Sequence, residues 1–226
     1  METVVLDLFG TLVPAPTPRE RTEAATRIAR VLGSPTAKVE AYFSSTWQVR
    51  HDGTLPTISA LAAHLVRNVQ QTDAPYGPVT DVLRSLSHAR LRPDPAVTDT
   101  LRSLRGAGLR LGVLSDASAE IAAAWPRSPL AALVDAAVFS CRSGAVKPDQ
   151  QLYDEIRATL DTPAHGTLYV GDGGGKELRG ALQAGMAVLA VRRRGPDDAL
   201  AFNATGWFGP TVDTVEDLPA YIQELQ

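Results

Sequence analysis

The sequence predicts a parallel α/β sheet with helices on both faces, interrupted near its start by an α-helical insertion. Three observations carry this. Five short apolar runs, TVVLDLF, LRLGVLS, DAAVFS, GTLYVGD and MAVLAV, read as strands buried on both faces. Helical patterns separate most of them, and such alternation produces parallel strands. The long stretch between the first and second runs has little strand signal and several helical patterns.

Taken in order, the first strand ends on a carboxylate, Asp7, and Leu8-Phe9-Gly10-Thr11 follow, with Gly10 permitting a tight turn. The proline-rich PAPTP leads into helical patterns over 19–32, ended by Gly33, and 36–52, ended by Gly53. Over 57–71, Ile58, Leu61, Ala62, Leu65, Val66 and Val69 form one stripe, and a short helix is expected near 77–88 before LRPDP. Residues 15–91 are therefore read as an inserted helical cap, and 1–14 with 92–226 as a Rossmann-like core. The insertion starts just after the Asp7 loop, so it is expected to hang over that loop as a lid. Within the core, helices are predicted over 95–107 with Gly108 as a stop, 149–160 behind the N-cap Asp149, and 175–184 ended by Gly185. The tail TVDTVEDLPAYIQEL reads as a final helix. Ligands of such sheets bind at the carboxyl ends of the strands, where this chain places Asp7, Ser115, Asp116 and Asp172.

Composition narrows the function. A net charge of −3 over 226 residues has no basic footprint, which argues against nucleic acid as the main partner. No apolar stretch approaches the ~20 residues that span a bilayer, and the first residues lack the basic start of a signal peptide. The single cysteine, Cys141, excludes an intramolecular disulfide and follows an apolar run as a small core residue. A cytoplasmic protein acting on a small-molecule substrate is expected, with no membrane partner.

Four ordered pieces, LDLFGTLV (6–13), GVLSDAS (112–118), VKPD (146–149) and VGDGGGKELRGALQAGM (170–186), each fall at the expected end of a strand. In this order the chain resembles the haloacid dehalogenase superfamily of hydrolases, and the helical insertion resembles the cap those enzymes carry. The resemblance implies that Asp7 is the nucleophile, since a carboxylate can form a covalent ester that water then hydrolyses. It implies that Ser115 binds a phosphate or carboxylate oxygen and that Lys147 neutralises accumulating negative charge. Gly10 and Thr11 would help cradle the transferred group. Asp116 stands where the family often has Asn, an unfavourable charge beside an anionic substrate unless it is paired. Mg²⁺ would be held by Asp7, Asp172, the backbone carbonyl of Phe9 and Glu177, the last acting through water. Lys147 is one of only three lysines, with Lys38 and Lys176, among 22 basic residues, so a compact ammonium here favours a functional reading.

Phe9 departs from the phosphatase pattern, in which a second aspartate protonates the leaving alcohol and then activates water. Loss of a general acid costs on the order of 10²–10⁴ in rate with a poor leaving group. Three explanations stay open: a leaving group that needs no proton, an acid supplied by the lid cluster Trp47, Arg50, His51 and Asp52, or an impaired or binding protein. Arg50 in that cluster is a candidate for binding a substrate anion. Resembling dehalogenases carry an aromatic residue at the Phe9 position and need no metal. The acids of GDGGGKE point instead to a Mg²⁺-dependent phosphatase acting on a small phosphorylated metabolite, with 2-haloacid dehalogenation as the alternative. The Arg192–Arg194 run, His64, His88 and His165 are expected to be structural or solvated.

Overall fold

A computed structural model describes residues 1–71, 74–192, 194–196 and 206–225. The elements run β1 (Thr3–Leu6), α1 (Pro18–Leu32), α2 (Thr36–Ser45), α3 (Trp47–His51), α4 (Ile58–Gln70), α5 (Gly77–Arg90), α6 (Pro95–Gly106), β2 (Arg110–Ser115), α7 (Ala119–Ala124), β3 (Ala136–Phe139), α8 (Ser140–Ser143), α9 (Gln150–Thr159), β4 (Thr167–Gly171), α10 (Glu177–Gln183), β5 (Ala187–Val191), β6 (Thr211–Val212) and α11 (Leu218–Glu224).

All six strands are parallel, in the order β3-β2-β1-β4-β5-β6. Strand alternation assigns side chains to two faces. Val4, Leu6, Leu111, Val113, Leu168 and Val170 meet α6 and α11 through Val97, Leu101, Leu104, Leu218 and Ile222. Val5, Leu114, Tyr169 and Val188 meet α9 and α10 through Leu152, Ile156, Leu178 and Ala181. The sheet thus carries helices on both faces, a Rossmann-like α/β arrangement as the apolar runs predict. From β1 the chain proceeds outward to β2 and β3, then returns to add β4 and β5 on the other side. The reversal lies between β1 and β4, the position where parallel sheets open a crevice for ligands.

Helices α1, α2, α4 and α5 join through an apolar cluster of their own, including Ile28, Val39, Tyr42, Leu61, Leu65 and Leu83. The helix start at Pro18 is set by Thr17, whose hydroxyl accepts from the Glu20 amide while the Glu20 carboxylate accepts from the Thr17 amide.

Three local expectations need correction. The helix expected over 36–52 breaks at Thr46, whose hydroxyl donates to the Tyr42 carbonyl (2.6 Å) and whose backbone leaves helical geometry. A hydroxyl bonded back to the preceding turn bends a helix in this way. The helix expected over 175–184 begins only at Glu177, because Gly175 and Lys176 take left-handed conformations in a separate short turn. The tail is not all helix: Thr211 and Val212 pair with β5 as the sixth strand, and α11 starts at Leu218. Two residues carry too little periodicity to signal an edge strand.

Candidate active site

Asp7 follows β1, Ser115 ends β2 with Asp116 after it, and Asp172 follows β4, so the reversal between β1 and β4 gathers these polar groups at one end of the sheet. Lys147 reaches the same point from the loop before α9. Its ammonium, on a residue only 6 % exposed, donates to Asp7 Oδ1 (2.6 Å), Glu177 Oε2 (2.5 Å) and the Tyr169 hydroxyl (3.1 Å). Lys147 therefore sits between two carboxylates rather than in solvent. Its amide donates to Asp116 Oδ1 (3.0 Å), which ties the Asp116 loop to the lysine loop.

Glu177 is 1 % exposed and heavily partnered. Oε1 accepts from the Gly173 amide (3.0 Å), and Oε2 accepts from the Tyr169 hydroxyl (2.7 Å) as well as from Lys147. It can lie so close to β4 because residue 171 is glycine. A Cβ on Gly171 would stand 2.2 Å from Glu177 Oε1. Asp172 Oδ1 accepts from the Gly174 amide (2.9 Å). Thr11 is fully buried and donates to Asp7 Oδ2 (3.2 Å). Gly10, at φ 92°, makes the turn that returns the chain to this position. Thr11 helps to position Asp7 through its hydrogen bond.

The electrostatics are those of buried, mutually repelling carboxyls. Burial raises the pKa of Asp7, and Asp172 adds to this while Lys147 opposes it. Burial also raises Glu177, to about 8, with Asp7 repulsion next and Lys147 insufficient to cancel them. Asp116 rises to about 6 for the same first reason. Burial works against a charged Lys147, but Asp7 and Glu177 outweigh it and hold the ammonium well above its ordinary pKa. Carboxylate oxygens of Asp7, Asp172 and Glu177 all lie within 4.8 Å of one another. Three hard oxygen donors gathered this closely fit a divalent cation such as Mg²⁺. The Ser115 hydroxyl, buried on the cavity wall without a hydrogen-bond partner, fits a ligand oxygen.

These groups open into a cavity of about 440 Å³, whose opposite wall comes from α1, α3, α5 and α7. Arg50 and His51 lie on that wall and are buried, not exposed as a helix-end position suggests. Arg50 donates to the Phe43 carbonyl (2.9 Å) and to Thr46 Oγ1 (3.2 Å). His51 stacks on Trp47 and its Nδ1 lies 2.7 Å from the Trp47 carbonyl, which requires the Nδ1–H tautomer. Burial, then the Arg50 charge, lowers its pKa to about 4. At neutral pH the ring is neutral and its one N–H is committed, so it has no proton to supply to a leaving group. Asp52 instead accepts from the Thr54 amide in a turn. Phe9 lines the cavity, with the Arg90 guanidinium carbon 4.4 Å from its ring centroid.

This strand-end carboxylate set is what the four sequence pieces anticipate, and the family comparison matches. The family model for haloacid dehalogenase-like hydrolases matches residues 1–185. The chain belongs to that family. No curated protein matches it in sequence. Among solved structures it is similar to a haloacid dehalogenase phosphatase from Thermococcus onnurineus (18 % identity, 98 % of each chain, TM-score 0.66). It is also similar to the L-2-haloacid dehalogenase of Xanthobacter autotrophicus with covalently bound chloropropionic acid (17 %, 100 % of each chain, TM-score 0.68). A third is a 2-haloacid dehalogenase from Pseudomonas syringae pv. Tomato DC3000 (21 %, 100 % of each chain, TM-score 0.72). At these identities the likeness is one of fold, and the family assignment makes this chain a hydrolase.

Several residues in and behind this hydrolase's cavity have no counterpart in the sequence reading. Tyr169 lies inside a buried apolar run, and its hydroxyl is the one sign that the run contains a polar contact. Arg21, Arg90 and Glu120 reach the cavity from helices whose cavity-facing positions no motif marks. Arg194 is bound through Nη2 to both Glu216 oxygens (2.6 Å each), Arg192 pairs with Asp213, and Arg193 lies outside the described residues. His64 Nδ1 lies 2.9 Å from the Tyr42 hydroxyl. Cys141 is a buried free thiol, pushed up to about 11 by burial. No helix among the described residues is long and apolar enough to cross a membrane.

Gly171→Ala is expected to push Glu177 off Lys147 and the Gly173 amide and to cost ~1–3 kcal/mol of stability, measured by urea denaturation. His51 gives a pH signature. Between its ordinary pKa of 6.5 and its folded value of about 4, the unfolded chain binds a proton that the folded ring refuses. The stabilisation is complete above 6.5 and declines as pH falls towards 4, by on the order of 3 kcal/mol. Urea denaturation across that range is expected to show a shallower pH slope in His51→Asn than in the wild type.

Proposed function

We propose that this hydrolase is a Mg²⁺-dependent phosphatase that uses Asp7 as nucleophile on a small phosphorylated metabolite. The observation that carries the reading is the set of three carboxylates, Asp7, Asp172 and Glu177, with oxygens within 4.8 Å of one another and the Lys147 ammonium on Asp7 and Glu177. Asp7 attacks phosphorus, forming an aspartyl ester as the bond to the leaving oxygen breaks. Water then attacks the same phosphorus and releases phosphate, restoring the Asp7 carboxylate. Bound at Asp7 and Asp172, with Glu177 acting through water, Mg²⁺ would supply electrostatic stabilisation of the transferring oxygens. The Phe9 carbonyl is the further ligand proposed from the family pattern.

Lys147 holds Asp7 ionised and oriented, and Thr11 fixes its other oxygen. The unpartnered Ser115 hydroxyl supplies a donor for a phosphoryl oxygen. Asp116 contributes by anchoring the Lys147 loop through its accepted hydrogen bond. The helices of 15–91 act as a cap that closes the cavity and excludes water. Phe9 cannot donate a proton and His51 has none to give, so the favoured substrates are those whose leaving groups depart as weakly basic anions, such as acyl phosphates and aryl phosphates.

A second reading, 2-haloacid dehalogenation, is favoured by the aromatic side chain of Phe9 beside the nucleophile. Release of chloride from 2-chloropropionate in the absence of metal tests it.

Phosphate release from acetyl phosphate and p-nitrophenyl phosphate is expected to exceed that from sugar phosphates, to stop in EDTA and to disappear in Asp7→Asn. Turnover indifferent to the chelator sinks the metal-dependent reading, and a wild type inert on all these compounds sinks catalysis. Because burial and Asp7 hold Glu177 near about 8, protons compete with the cation for this acid cluster. Mg²⁺ affinity measured by titration calorimetry is expected to weaken as pH falls through that value and to strengthen above it.

A further inference from the structure

Two groups of charged residues line the cavity. At the sheet end lie Asp7, Asp116, Asp172 and Glu177 with Lys147 and Lys176. On the helical wall lie Arg21, Arg50 and Arg90, with Glu120 as the acid among them. His51 on the same wall is neutral at pH 7, its pKa lowered to about 4 by burial. Three guanidinium groups and one carboxylate line this wall, and Glu20 also bears electrostatically on Arg90.

Among the described residues the guanidinium groups of Arg21 and Arg90 make no hydrogen bond or ion pair. Arg50 uses Nε and Nη2 on Thr46 and Phe43. Glu120 accepts from the Ser118 hydroxyl through Oε1 (2.7 Å), and its buried Oε2 has no partner. Burial disfavours the charged form of Arg50, Glu120 offsets part of this, and Arg21 adds repulsion. Arg90 is solvent-exposed as a residue; burial of its head disfavours the charged form, Glu120 and Glu20 favour it, and Arg21 opposes it.

Two of the guanidinium groups lie over aromatic rings, Arg90 over Phe9 at 4.4 Å and Arg50 over Phe43 at 5.1 Å. An arginine supported on a ring face is held without consuming its donors, which suit the paired oxygens of a carboxylate or phosphate. The same cavity also has apolar lining from Phe9, Ile28, Phe43, Leu83 and Leu86.

We propose that the Arg21–Arg50–Arg90 wall binds a second oxyanion, carried on the leaving portion of the substrate and separated from the transferred phosphoryl group by an apolar or aromatic spacer. The substrate class is then a phosphate ester with a remote carboxylate or second phosphate, and Arg21 and Arg90 are specificity-determining residues. This rests on the phosphatase reading for the identity of the transferred group, but not for the presence of the anion site.

The test compares kcat/KM, with Mg²⁺ present, for phenyl phosphate, 4-carboxyphenyl phosphate and 1,4-phenylene bisphosphate. In parallel, calorimetry compares binding of benzylphosphonate and 4-(phosphonomethyl)benzoate. A charge-assisted pair leads us to expect that the remote carboxylate or phosphate raises kcat/KM by about tenfold or more and tightens phosphonate binding similarly. The larger of the two gains identifies which oxyanion the wall takes. In Arg90→Gln and in Arg21→Gln the preference ratio is expected to fall several-fold towards one. Equal affinity for the two phosphonates, failure of both to bind, or an undiminished preference in both variants overturns the proposal. If no ester is hydrolysed but the carboxylated phosphonate still binds more tightly in an Arg90-dependent way, the phosphatase reading falls and the anion site stands.

Discussion

Four carboxyl groups, Asp7, Asp116, Asp172 and Glu177, converge beside the ends of β1, β2 and β4, and Lys147 ties three of them together. It contacts Asp7 and Glu177 directly and, through its backbone amide, Asp116. Removing one partner from a buried ion pair leaves an uncompensated charge, which is far more costly than the pair itself. This couples three loops that are distant in sequence. The loop after β1, the loop after β2 and the segment leading into α10 can adopt their observed positions only together. It also explains why Gly171 lies where it does, since a side chain there would remove Glu177 from the cluster.

Burial and mutual repulsion of its carboxyls give the site its chemical character. Asp7, Asp116 and Glu177 all have carboxyls raised by burial, with like-charge repulsion contributing in each case. A site of this kind gains by binding positive charge. The helical wall opposite carries arginines supported on Phe9 and Phe43. Phe9 takes part in both halves. It follows the nucleophile by two residues, where it removes a proton donor, and its ring face supports Arg90.

Much of the fold was legible because its signals are local. The alternation of apolar strands and amphipathic helices follows from the two side-chain periods, and the stripe of Leu61, Leu65 and Val69 marks a helix without reference to anything else. Legibility failed where a single side chain competes with the backbone, as at Thr46, or where left-handed residues delay a helix, as before Glu177. It failed too where pairing is too short to leave a period, as in β6. In the site, Asp7, Ser115, Lys147 and Asp172 were visible because each sits at a strand end inside a recognisable motif. Tyr169 was hidden by its apolar neighbours.

By itself, then, the sequence determined the strand and helix types, the positions of the acids at strand ends, and the absence of a second carboxyl at position 9, because these depend on residue identity and short-range periodicity. Only the tertiary structure decided that Lys147 bridges Asp7 and Glu177, that His51 is buried with its proton committed, and that Arg21, Arg50 and Arg90 share one wall. Those facts arise from packing helices against a sheet across long sequence separations. Burial and Coulomb interaction depend on three-dimensional neighbours, which one-dimensional spacing does not specify.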